Sequence, residues 1–327
     1  MSAAPNRRQF LNTVAQAYVG ATFATLASAQ GTPGQRRVTP SRIPVIDTHT
    51  HFYDPSRPGG VPWPPREERT LYRTVLPKDY RSLEMPNLVT GAVVVEASPW
   101  VEDNQWLLDL ASKDSFIVGV VGNLPVGRPE FAGLLKRFSA NRLFRGIRLR
   151  DQKLEGTLNE PTFVADLKLL AHHDLSLDLV GGGEILSYSD VLAGMFPNLR
   201  IVVDHLAGVK IDGKTPPTDW LDGMRALVPR RNVYFKLSGL VEGAGRRNEA
   251  VPRDAGFYRP TLDAMVAMFG PARLLYASNW PVSELFAPLA TVQRLIEDFF
   301  RDRGLQVEEQ ILSLSSKAAY RWTDRGA

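Results

Sequence analysis

A single (β/α)8 barrel of the TIM type is the fold class this sequence predicts, and three observations predict it. Apolar runs of strand length recur eight times from residue 43 onward. Segments of helical periodicity separate them, which implies parallel strands joined by helical crossovers. Polar side chains end seven of the eight runs, on the side where such a barrel keeps its chemistry. An open doubly wound sheet is the competing fold. No G-x-G-x-x-G follows the first run, and Gly181-Gly182-Gly183 after the fifth reads as a connecting loop.

The strand-like runs cover 43–49, 91–97, 116–122, 144–149, 175–180, 199–205, 232–238 and 273–279. Most are rich in Val, Ile, Leu or Phe and are bounded by turn residues, as buried parallel strands are. Helical periodicity marks 101–113, 129–140, 161–173, 185–196, 219–228, 260–269 and 289–301, and a last helix near 308–322 closes the chain. The barrel therefore spans 43–327, with no second domain.

Residues 1–29 read as an export signal. Arg7-Arg8-Gln9-Phe10-Leu11 resembles a twin-arginine motif, the run 14–26 is mildly apolar, and Ala27-Ser28-Ala29 has the small-x-small form of a cleavage site. A stable membrane anchor is disfavoured because Gln16 and Gly20 break that run. Residues 30–42 read as a Pro/Gly-bearing linker, and a periplasmic location is expected. The chain has no cysteine, which rules out a disulfide framework and a thiolate site. Its net charge is only +4, partly from Arg7 and Arg8, and no polybasic run suits nucleic acid. A small molecule is the expected partner; a homo-oligomer is compatible with the sequence.

The run Val45-Ile46-Asp47-Thr48-His49-Thr50-His51 carries two of the chain's five histidines. Strict alternation sends Asp47, His49 and His51 to one face and Ile46, Thr48 and Thr50 to the other. A buried strand rarely carries such a row unless a site lies at its end. The other runs end in Glu96, Arg148, Asp178, Asp204 with His205, Lys236 and Asn279. His172 and His173 end a helix and read as structural or solvated.

Together, H-x-H on the first strand, Asp204-His205-Leu206, Lys236-Leu237-Ser238-Gly239 and Ser278-Asn279-Trp280-Pro281 resemble the amidohydrolase superfamily. The similarity extends through His51-Phe52-Tyr53-Asp54-Pro55 and the Val61-Pro62-Trp63 loop, and it is closest to the amidohydrolase-related branch. That branch contains lactonases for sugar acids and for aromatic-degradation intermediates, some metal-independent and others zinc enzymes. The eighth strand departs from the family, which places an aspartate general base where this chain has Asn279. An amide has no useful basicity near neutral pH.

The resemblance and the strand ends together imply a hydrolase that opens a lactone of a sugar acid or carboxylated ring, anionic or polyhydroxylated. Arg148 is expected to hold a carboxylate through its guanidinium fork, and Lys236 with the strand-one histidines to polarise the carbonyl. His205 is expected to be the base and Asn279 to position the water. Glu96, Trp100, Trp280 and Tyr53 are expected around the substrate. His49, His51 and His205 could hold one divalent metal such as zinc. With Asp178 where the superfamily has histidine, metal-independent catalysis is equally expected. A non-catalytic sugar-acid-binding protein and a metal-dependent decarboxylase are the alternatives.

Overall fold

A computed structural model of the protein describes residues 44–150, 154 and 156–326. The expected export signal, 1–29, and linker, 30–42, lie outside the described residues. Eight parallel strands pair in sequence order: β1 (Val45–Thr50), β2 (Val89–Val95), β3 (Ile117–Gly122), β4 (Phe144–Arg150), β5 (Ser176–Val180), β6 (Arg200–Val203), β7 (Val233–Lys236) and β8 (Leu274–Leu275). The ends of the sheet meet. Thr48 N donates to Tyr276 O at 3.1 Å, Asn279 N to His49 O at 2.9 Å and His51 N to Trp280 O at 2.9 Å. This closure makes the expected barrel.

The long crossover helices fall where periodicity places them: α2 (Asp103–Lys113), α3 (Phe131–Ser139), α4 (Pro161–His172), α5 (Ile185–Met195), α6 (Thr218–Ala226), α8 (Ala255–Phe269) and α9 (Leu289–Phe300). Two five-residue helices, α1 (Pro77–Arg81) and α7 (Leu240–Ala244), went unanticipated because one turn displays no period. Helix α8 starts before the expected Pro260, where the Asp254 side chain accepts from Gly256 N and caps it. A C-terminal helical segment, 305–320, ends the barrel.

Two apolar clusters hold these layers together. One lies between strands and helices, with Val94, Leu107, Leu177, Phe235 and Phe299 among its members. The other gathers the opposite strand faces, Ile46, Val93, Val95, Val118, Val202 and Leu275, against Tyr320 and Trp322 of the C-terminal segment. Each such side chain contributes roughly 1.5–3 kcal/mol on burial. The second cluster forms the floor on which the polar residues sit.

Two sequence expectations change at the strand ends. The register of β1 against β2 breaks between Asp47 and Thr50, so strict alternation does not survive. Asp47 accordingly faces away from the histidines. Its carboxylate accepts from Tyr80 OH of α1 at 2.8 Å and from the His49 and Ser278 amides at 3.0 Å. Strands six to eight also end earlier than their apolar runs. Beyond β6 the chain turns left-handed at His205, Leu206 and Ala207 (φ 51°, 51° and 56°), and beyond β8 at Asn279 (φ 60°). Asn tolerates that region; Leu and Ala there are strained.

Close strand packing is legible at Gly146. A Cβ there would lie 2.2 Å from Ser176 Oγ and 2.7 Å from Ser176 O on β5. Gly146→Ala is therefore expected to lower stability by about 1–3 kcal/mol through overpacking. Denaturant melts of variant and parent check this, and equal midpoints would refute it.

Candidate active site

Lys236, fully buried at the end of β7, organises the polar end of the barrel. Its Nζ donates to Asp178 Oδ2 of β5 at 2.6 Å and to His49 Nδ1 of β1 at 3.0 Å, with Asp204 Oδ1 at 2.9 Å as an ion pair. Two of its hydrogens are donated and the Asp204 carboxylate closes the third side as an ion pair, so the fully buried ammonium faces no open space for a substrate carbonyl. The expected role of Lys236 as carbonyl polariser does not fit this geometry. Tyr320 OH also donates to Asp178 Oδ2 at 2.8 Å, tying the C-terminal segment to the site.

This packing sets the local electrostatics. Burial, with Asp204 alongside and despite Lys236, raises Asp178 to about 6. Burial pushes Asp204 upward as well, but Lys236 and the neighbouring imidazoles more than offset it and hold that carboxyl well below its usual range. The histidines shift the other way. Burial, then the Lys236 charge, pulls His49 well below 6.5. Burial and Arg148 take His51 to about 3; burial, with Lys236 and Arg148, takes His205 to about 4. All three rings are neutral near pH 7.

The rings form one cluster. His49 lies 4.9 Å from His51, edge to face, and 4.4 Å from His205 between centroids. An ammonium can only donate, so His49 Nδ1 accepts and the neutral ring keeps its hydrogen on Nε2, a buried atom without a hydrogen-bond partner. His51 turns Nδ1 to Val95 O at 3.0 Å, and His205 turns Nδ1 to Ser238 Oγ at 2.8 Å. Gly239 lets the end of β7 approach: at φ 80°, a Cβ there would meet His205 Cβ at 2.8 Å.

Arg148 sits beside them with its fork already engaged. Nε donates to Glu96 Oε1 at 2.9 Å and Nη2 to Glu96 O at 2.5 Å. Its Nη1 lies 4.0 Å from Asp204 Oδ2. Bidentate capture of a substrate carboxylate would break the Glu96 bonds, so Nη1 is the edge left for a ligand. Asn279 at the end of β8 donates from Nδ2 to Glu242 Oε1 of α7 at 2.8 Å.

The aromatic residues sort differently from the sequence expectation. Trp280 is 1% exposed, its Nε1 donating to Glu284 at 2.6 Å. Tyr53 is 3% exposed, its hydroxyl donating to Leu71 O at 2.7 Å. Both support the wall from behind and offer a substrate almost no surface. Trp100 is 45% exposed. The half-buried ring that meets the cluster is Trp63, 5.7 Å from His51. Its loop was visible in the sequence, its contact with His51 was not. Glu242, Ser238 and Trp63 are the neighbours that sequence reasoning missed; a fold-level count of strand ends stops before α7. The exposed His173 bonds Ser139 Oγ at 3.0 Å, away from the site.

Among the described residues, His49, Asp204 and His205 are the group compact enough to share a metal, their ligating atoms all within 4.8 Å of one another. Asp204 stands there in place of the expected His51. The donor set suits a divalent ion, and His49 Nε2 and both Asp204 oxygens lack hydrogen-bond partners. An ion taking His49 Nε2 would have to displace the hydrogen that the Lys236 contact places there.

Known proteins resemble this chain over nearly all of the barrel. A family model described as amidohydrolase matches residues 46–321. An L-fucono-1,5-lactonase of Burkholderia ambifaria is 32% identical over 243 residues, covering 73% of this chain and 81% of that protein. A second L-fucono-1,5-lactonase, of Burkholderia multivorans, is 28% identical over 275 residues, 82% and 92% of the two chains. Among solved structures, an amidohydrolase from Burkholderia multivorans with bound zinc superposes with a TM-score of 0.73 at 25% identity, covering 85% of this chain and 99% of that one.

Replacing Lys236 by Met would leave Asp178 and Asp204 buried without their cation. The expected loss is about 3–5 kcal/mol, the usual result of removing one partner of a buried ion pair. Thermal and chemical denaturation measure it; a variant as stable as the parent would show that the ammonium is dispensable.

Proposed function

We propose that this chain, which belongs to the amidohydrolase family, hydrolyses the ester bond of a sugar-acid lactone. The observation that carries this function is the cluster of three neutral histidines beside Arg148, in which His205 is the partly exposed ring. Two of its relatives are named L-fucono-1,5-lactonase, which fits a small polyhydroxylated substrate.

Ester hydrolysis needs a donor for the carbonyl oxygen, a hold on the rest of the substrate and a placed water. His205, the partly exposed ring of the cluster, supplies the donor from Nε2 when its Nδ1 accepts from Ser238 Oγ. Arg148 Nη1 holds a hydroxyl or carboxylate oxygen of the substrate, and the ring of Trp63 packs against its apolar face. The Asn279 amide, whose Nδ2 is committed to Glu242, presents its oxygen to the water. His205 suits a hydrogen-bonding role better than the expected one of base. With its pKa pulled to about 4, its imidazole is a far weaker proton acceptor than an ordinary histidine.

A single divalent ion, if one is bound, would be held by His49, Asp204 and His205. It would polarise the carbonyl and acidify a water there.

A panel of five- and six-membered sugar-acid lactones, assayed by acid release in a pH-indicator mixture with zinc or with chelator, tests the function. Ring opening well above the spontaneous rate is expected for at least one member. No turnover across the panel in either condition would refute it.

We also propose that the protein is exported, on the strength of Arg7-Arg8 and the apolar run that follows. Replacing both arginines by lysine is expected to leave the protein in the cytoplasmic fraction of a bacterial host with a twin-arginine pathway. Unchanged periplasmic recovery would count against this route.

A further inference from the structure

The acids at the strand ends are not equivalent. Asp178 is bonded to Lys236 and Tyr320, Asp204 is paired with Lys236, and Glu96 is bonded to Arg148. Each is engaged by a cation, and Asp178, although burial raises it to about 6, is fully buried with Lys236 and Tyr320 on its Oδ2, as Asp204 is fully buried beside the same ammonium. Glu242 is the exception. Among the described residues no lysine or arginine pairs with it, and its side chain is half-buried at the mouth rather than sealed beneath. The titratable group facing it from another element is Tyr258 of α8, whose hydroxyl donates to Pro252 O at 2.7 Å.

Its position follows from the fold. Gly239, in the left-handed region, turns the chain directly from β7 into α7 and packs on His205. One turn of that helix carries Glu242 across to the end of β8, where Asn279 Nδ2 lies 2.8 Å from its Oε1. A carboxylate only accepts, so it fixes which end of the amide it faces. Asn279 Oδ1 is thereby left free to accept one hydrogen of a water whose other hydrogen lies toward the acid.

We propose that Glu242 is the proton acceptor for the attacking water, so that Glu242 and Asn279 together replace the single acid expected at the end of β8. The proposal rests on the lactonase assignment. The water oxygen bonds to the lactone carbonyl carbon while Glu242 takes the proton released. When the tetrahedral adduct collapses, the bond from carbonyl carbon to ring oxygen breaks, and Glu242 returns the proton to that oxygen. One water is consumed, one hydroxy acid forms and Glu242 is regenerated. Burial raises the Glu242 carboxyl above its ordinary value, which makes it a better base than an exposed glutamate.

The test compares the full-length parent, Glu242→Gln and the double variant Glu242→Gln/Asn279→Asp on a lactone that the parent opens. Glu242→Gln keeps an oxygen for Asn279 Nδ2 and should retain the fold, checked by circular dichroism and melting temperature. The expected result is a fall in kcat of about a hundredfold or more, in the range of general-base loss, with KM within about threefold. The acid limb of the pH–rate profile should vanish with it. The double variant should recover at least about tenfold, because it returns a carboxylate to the end of β8. A Glu242→Gln enzyme within about threefold of the parent kcat would overturn the proposal while leaving the lactonase assignment standing. So would a loss in kcat that comes with a lowered melting temperature and no recovery in the double variant. A parent that opens no lactone would overturn both.

Discussion

A buried ammonium among two carboxylates and an imidazole is the interaction on which the rest of this site depends. Lys236 of β7 draws together residues from β1, β5 and the turn after β6, and Tyr320 braces the Asp178 carboxylate from the C-terminal segment. Its effect is chemical as well as structural. By occupying His49 Nδ1 it decides where that ring keeps its hydrogen, and its charge helps to keep the neighbouring imidazoles neutral. A cluster that could have served as cationic hydrogen-bond donors thus becomes neutral donors and acceptors. Lys236 and a divalent ion make competing demands on His49 and Asp204, because both draw on the same two groups.

The backbone makes the second contribution. Barrels keep chemistry at the carboxyl ends of strands because loops there can be varied without disturbing the core. Here the loops turn abruptly, with four left-handed non-glycine residues at the ends of β6 and β8. Such conformations persist when surrounding packing over-determines them. They hold His205 and Asn279 just beyond the sheet, where a strand's own alternation could not have aimed them.

Strand-end counting identified the site's cast but not its partnerships. His49, His51, Arg148, Asp178, Asp204, His205, Lys236 and Asn279 do converge at one end of the barrel. Arg148 had been expected to grip substrate, yet its fork is spent on Glu96. Asp47 shares the polar look of His49 but is rotated to Tyr80 by a break in register that no residue type announces. Trp280 and Tyr53 suggested pocket walls by type alone and are buried behind it. Glu242 was overlooked because it sits in a helix too short to display a period, between two elements that were recognised.

By itself, the sequence determined the architecture, since eight apolar runs separated by amphipathic segments have few ways to bury their surfaces other than as a closed parallel barrel. It also determined which end carries the polar groups, because alternation and run boundaries are local properties. What only the tertiary structure decided is which charge meets which. Hydrogen bonds and ion pairs act over about 3 Å, and residues as far apart in the chain as His49 and Lys236 come within that range only after the barrel has closed. The protonation of the histidines, the orientation of the Asn279 amide and the freedom of Glu242 are all consequences of those contacts.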